Sequence, residues 1–197
     1  RFVDGVLAEP WPWNVRSLVD IGCGSGAGAI LAMRALDARV LRRVVLRDVN
    51  ARALRYAATN VALNGAGPCE FSDGDSLSEI EGPFDLIIAN PPYMIDEHLH
   101  RSYCDGGGSL GVHLALRFLS DALVHLAPGG RIVILDLLAH SEEWMRSRFG
   151  DFWLGFSQSD LEAWLEEAGF RSIHSEITGA SKAYPEIEGL LVQAEKP

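Results

Sequence analysis

The chain has 197 residues, with 17 basic against 27 acidic side chains and a formal net charge of −10. That length suits one domain with a core of its own, and 48% hydrophobic with 22% charged residues excludes a disordered chain. The acidic balance argues against unaided binding to a nucleic-acid backbone, where Lys and Arg must release counterions, but leaves room for a single base reaching into a pocket. No apolar run approaches the roughly 20 residues of a membrane span, so no membrane partner is expected. Cys23, Cys69 and Cys104 are odd in number and widely spaced, with no CxxC pair. They read as reduced thiols, which places the chain in the cytoplasm.

Residues 1–16 hold Glu9-Pro10-Trp11-Pro12-Trp13, and two prolines there prevent regular helix. They are expected to be a lead-in segment ahead of one domain at 17–197. The sequence opens on Arg1 rather than Met, which suggests a fragment whose preceding region is missing. Arg1-Phe2-Val3-Asp4 is not followed by an apolar stretch and a cleavage site, so no signal peptide is expected. Ser17–Ile21 is a short apolar strand, followed by a glycine-rich turn and a helix over 27–37. Val44-Val45-Leu46 is a second strand that ends at Asp48. Residues 50–64 alternate with helical period and stop at Asn64-Gly65. Residues 68–71 form a third strand, and 84–89 a fourth, apolar enough to be covered on both faces. A polar loop spans about 91–109. A helix at 111–126 follows, and Pro128-Gly129-Gly130 leads into a strand at 131–138. Residues 159–168 read as a helix with Ser159 or Asp160 as N-cap and Gly169 at its end. Residues 170–177 and 189–195 are the last two strands. Strands alternating with helices imply right-handed βαβ units in a doubly wound, mostly parallel α/β sheet. Such sheets bind ligands beyond the carboxyl ends of their strands.

Four motifs fall at those strand ends. Asp20-Ile21-Gly22-Cys23-Gly24-Ser25-Gly26 lies between strand one and a helix. Its GxGxG spacing differs from the GxGxxG that cradles a pyrophosphate, and the carboxylate of Asp20 would repel a pyrophosphate while suiting a cation. This disfavours an NAD-dependent dehydrogenase. Asp48 ends strand two, where a carboxylate can accept hydrogen bonds from a ribose diol or cap the next helix. Asp73-Gly74-Asp75 follows strand three, where a carboxylate can accept from an adenine amine or simply form a solvated turn. Asn90-Pro91-Pro92-Tyr93 follows strand four. The prolines fix an extended backbone. The Asn90 side-chain oxygen and the Pro91 carbonyl can then both accept from one planar NH2 group, with Tyr93 as an aromatic face for it. Asp96, His98, His100 and Cys104 fit no ordinary zinc spacing, so no metal is expected.

These motifs together resemble the class I S-adenosylmethionine-dependent methyltransferases with an NPPY motif, and within them the release-factor glutamine methyltransferase (HemK-like) family of small methyltransferase domains. The resemblance runs from about Asp20 to Leu135. It implies a Rossmann-like sheet of seven strands with the last antiparallel. It also implies S-adenosylmethionine as cofactor, held by Asp20, Gly22, Gly24, Gly26, Asp48 and Asp75. By distance to the NPPY motif, Asp75 matches the adenine-side acid better than Asp73. Asn90, Pro91 and Tyr93 would hold the acceptor nitrogen. Asp105-Gly106-Gly107-Gly108 resembles the family's Asp-Gly-Gly segment. Two family features have no counterpart here: the Arg-containing C-terminal motif and the helical N-terminal substrate domain. The implied acceptor is the side-chain amide of a protein glutamine, such as one on a translation factor; the same motif admits an exocyclic amine of an RNA or DNA base, or a small-molecule amine. A non-catalytic scaffold would predict loss of Asp48 or Asn90, and both are present.

Overall fold

The computed structural model describes residues 14–65, 67, 69–77, 79–89, 113–149, 154–180 and 184–197. Strands β1 (Ser17–Ile21), β2 (Arg43–Asp48), β3 (Glu70–Asp73), β4 (Phe84–Ala89), β5 (Leu126–Leu137), β6 (Arg171–Thr178) and β7 (Gly189–Glu195) form one sheet in the order β3-β2-β1-β4-β5-β7-β6. β1 to β5 are parallel, and β7 runs antiparallel to both β5 and β6. The expected seven-stranded, doubly wound architecture is therefore what the chain adopts.

Side chains of a strand alternate between faces, and the core divides accordingly. Leu18, Val44, Leu46, Leu86 and Ile88 pack with Ala29 and Ile30 of α1 (Ala27–Ala35) and Ala57 and Val61 of α2 (Ala51–Leu63). Val19, Val45 and Ile87 pack on the other face with Phe118, Leu119 and Ala122 of α3 (His113–His125) and Leu161 and Leu165 of α5 (Gln158–Ala168). A short helix, α4 (Trp144–Phe149), precedes α5 and has no counterpart in the sequence reading. Strand order reverses between β1 and β4, which lie side by side with Ile21 opposite Ala89. The crevice of such a sheet opens beyond that pair.

Several boundaries move. The first helix stops at Ala35 rather than residue 37, and α3 ends at His125 rather than residue 126. β3 covers 70–73 rather than 68–71: it is an edge strand whose side chains are mostly exposed, and pairing with β2 rather than an apolar run defines it. β5 begins at Leu126, so Pro128-Gly129-Gly130 lies inside it, at a register shift against β4. A Cβ on Gly130 would sit 2.8 Å from the Ala127 carbonyl oxygen and 3.0 Å from that of Phe84, which accounts for glycine at this irregularity. The cap of α5 is Ser157, whose side chain accepts from the Asp160 N–H, rather than Ser159 or Asp160.

Candidate active site

The glycine turn between β1 and α1 is tied to the neighbouring strand by backbone. The N–H groups of Gly22 and Cys23 both donate to the Arg47 carbonyl, at 2.9 and 3.0 Å. Gly22, Gly24 and Gly26 all have positive φ, the region that disfavours side chains. Their reasons differ. A Cβ on Gly26 would meet Leu46 Cδ2 at 3.0 Å and the Cα of Ala57 at 3.3 Å, so packing against β2 and α2 demands glycine there. A Cβ on Gly24 would meet nothing within 4 Å. The turn is open on that side.

Asp48 stands at the end of β2 beside this opening, 9% exposed. Its Oδ2 accepts from the Gly24 N–H and its Oδ1 from the Asn50 N–H, both at 2.8 Å. The capping of α2 falls to Asn50, which accepts from the Arg52 N–H at 3.0 Å. Asp48 is thus not the cap, and each of its oxygens retains capacity for a further donor.

Asp20 occupies the face of β1 that looks toward α1. It is buried, and its Oδ2 accepts from the Ala29 N–H at 2.9 Å in the first turn of that helix. Burial raises its pKa from 3.8 to about 7; the Ala29 hydrogen bond pulls the other way, and the charge of Asp48 adds to the rise. The Cys23 thiol is pushed up to about 12 by burial and by both carboxylates. It is a filler in the turn rather than a nucleophile.

Toward β3, Asp48 pairs in register with Asp73, and the Gly74 N–H donates to the Asp48 carbonyl at 3.3 Å. Asp75 follows on an exposed bend. Asp20, Gly22, Gly24, Gly26 and Asp48 are thus gathered at the ends of β1 and β2, with Asp75 one strand further along. Asn90, Pro91 and Tyr93, together with the segment holding Asp96 to Cys104 and Asp105 to Gly108, lie outside the described residues. Asn90 follows Ala89, the last residue of β4, directly in sequence.

Arg47 was not singled out from sequence. It is 2% exposed on the Val45 face of β2, with Nη1 donating to Ser72 Oγ at 2.6 Å and Nη2 paired with Glu79. A visible signal existed: a charged residue directly after the apolar run Val44–Leu46 and immediately before the strand-end acid.

The parallel order with its reversal at β1 and β4, the glycine turn and the strand-end acid define a Rossmann-like methyltransferase fold. Residues 6–154 match the methyltransferase small domain family, and the chain belongs to it. A release factor glutamine methyltransferase from Xylella fastidiosa is 35% identical over 132 residues, 60% of this chain and 46% of that protein. A ribosomal RNA large subunit methyltransferase G from Shewanella amazonensis is 34% identical over 123 residues, 60% of this chain and 28% of that protein. The chain spans less than half the length of either. The N-methyltransferase NodS from Bradyrhizobium japonicum, solved in complex with S-adenosyl-L-homocysteine, has the same fold, with a TM-score of 0.63 and 19% identity over 93% of this chain and 79% of that one. Among the described residues, no helix is long and apolar enough to cross a membrane.

Proposed function

We propose that this domain is an N-methyltransferase that acts on a planar nitrogen, the side-chain amide of a protein glutamine. S-adenosylmethionine is its methyl donor, and supplies the chemistry as a sulfonium whose methyl is already electrophilic. The residues present fit that group. Asp48 offers two anchored carboxylate oxygens with capacity for a ribose diol. The open side of Gly24 leaves room beside it. Asp48 favours a cation at the turn, and Asp20 adds to this once it ionises above about pH 7. Asp75 is assigned the adenine amine.

Amide nitrogen is a poor nucleophile because its lone pair is delocalised. Asn90 and the Pro91 carbonyl, by accepting both N–H bonds, would orient the acceptor, and Tyr93 would cover its plane. As the nitrogen gains positive charge these acceptors bind it more tightly, which lowers the barrier without a strong base; the sulfonium leaves as the neutral thioether, and the methylated nitrogen then gives its extra proton to water. The observation that carries this reading is the register of β1 and β4. It sets Ile21, just before the glycine turn, opposite Ala89, which Asn90-Pro91-Pro92-Tyr93 follows in sequence. A protein acceptor, such as a translation factor, is favoured over RNA by the net charge of −10 and by likeness to the glutamine-modifying relative. The free thiols of Cys23 and Cys69 suit the cytoplasm.

The test is transfer from methyl-labelled donor into fractionated cell extract. Label in protein that yields methylated glutamine supports the reading. Label confined to nucleic acid moves the acceptor to a base amine, and label in small molecules moves it to a free amine.

A further inference from the structure

We propose that Arg47 is a positioning residue: by gripping both ends of the Ser72-to-Glu79 segment on one buried guanidinium, it sets how selectively the cofactor site takes adenine. The inference rests on the assignment of this site to S-adenosylmethionine.

A guanidinium buried away from water is costly unless its N–H groups are paired. Here the pairing has a pattern. Nη1 goes to Ser72, within β3, at 2.6 Å, and Nη2 goes to Glu79, seven residues later. The two partners bracket Asp73-Gly74-Asp75. Between them the chain closes directly over the guanidinium, because a Cβ on Gly74 would fall 2.0 Å from Nη2 and 2.5 Å from Cζ. Only glycine, at φ 133, allows that approach. Leu77 is fully buried and fixes the depth of the same segment in the core, but an apolar anchor does not orient the residues before it. The planar fork does, since its donors point in fixed directions.

The other end of the same residue holds the other half of the site. The Arg47 carbonyl takes the Gly22 and Cys23 N–H groups, and its neighbour Asp48 takes that of Gly24. One dipeptide therefore ties the glycine turn to the segment carrying Asp75. Arg47 Nε is buried with no partner, so the fork is committed to bracing at the expense of full satisfaction. A buried guanidinium directly after Val44, Val45 and Leu46 is hard to account for by packing alone.

The experiment is calorimetric titration of the ligand-free chain with S-adenosylhomocysteine and with S-inosylhomocysteine, which replaces the adenine amine by a carbonyl. Wild type should prefer adenine by about tenfold or more, as expected when one oriented acceptor reads an amine. Arg47→Met removes the fork at similar volume. It should weaken S-adenosylhomocysteine by about tenfold and leave the inosine analogue within about twofold, so that the preference collapses. Arg47→Lys, a point charge that cannot hold both ends, should fall between. Amide exchange at Gly74 in the free protein should quicken in step. If Arg47→Met does not fold, Ser72→Ala, which frees one end only, should shift the preference in the same direction. Equal weakening of both ligands, or an undiminished preference for adenine, would overturn the proposal. Failure of wild type to bind S-adenosylhomocysteine would instead overturn the cofactor assignment beneath it.

Discussion

Asp48 and Asp20 are both strand-end acids, yet their surroundings give them different work. Asp48 spends one acceptor position per oxygen on backbone N–H groups and keeps the rest. Asp48→Ala should weaken S-adenosylmethionine by about 1.5–3 kcal/mol, the usual worth of hydrogen bonds to a charged group; unchanged affinity in a titration would put the ribose elsewhere. Asp20 is buried against α1, and its carboxyl has been raised from 3.8 to about 7. Between those values the folded chain holds a proton that the unfolded chain gives up. The contribution of Asp20 to stability is therefore greatest at low pH, falls as pH rises from about 4 to about 7, and is level above that. Asp20→Asn keeps an oxygen for the Ala29 N–H and removes the titration. Denaturant curves across that range should show the wild type losing stability relative to the variant with rising pH. A constant difference would mean that Asp20 titrates normally.

At the scale of elements, the end of α5 shows what was legible and what was not. Gly169, at φ 100, closes the helix where a glycine after a periodic run predicts. The start was misread because three candidate caps, Ser157, Ser159 and Asp160, stand together, and only the backbone decides that Ser157 is extended and accepts from Asp160. Ser157→Ala should cost about 1 kcal/mol in denaturant unfolding, whereas Ser159→Ala should cost little. A larger loss at Ser159 would restore the first assignment. The central strands were readable because burial on two faces writes long apolar runs. β3 was found but set two residues early, because its exposed side chains carry no pattern. Likewise the strand-end places of Asp20 and Asp48, and the turn at Gly24, were legible. The bracing by Arg47 was not, since Ser72 and Glu79 meet it only through the β2–β3 register.

For the whole molecule, the sheet order does the positioning: β1 and β4 end together, so the residue before the glycine turn and the residue before Asn90, far apart in sequence, are neighbours. The claim that matters most is that Asn90 acts on the acceptor rather than the cofactor. It is tested most directly by methyl transfer to the labelled acceptor by wild type and Asn90→Ala, with S-adenosylmethionine affinity measured in parallel. The expected result is a loss of kcat/KM of roughly 10²–10³ with cofactor affinity held within a few-fold. Near-normal turnover by Asn90→Ala would contradict it, and would remove the main support for a nitrogen acceptor.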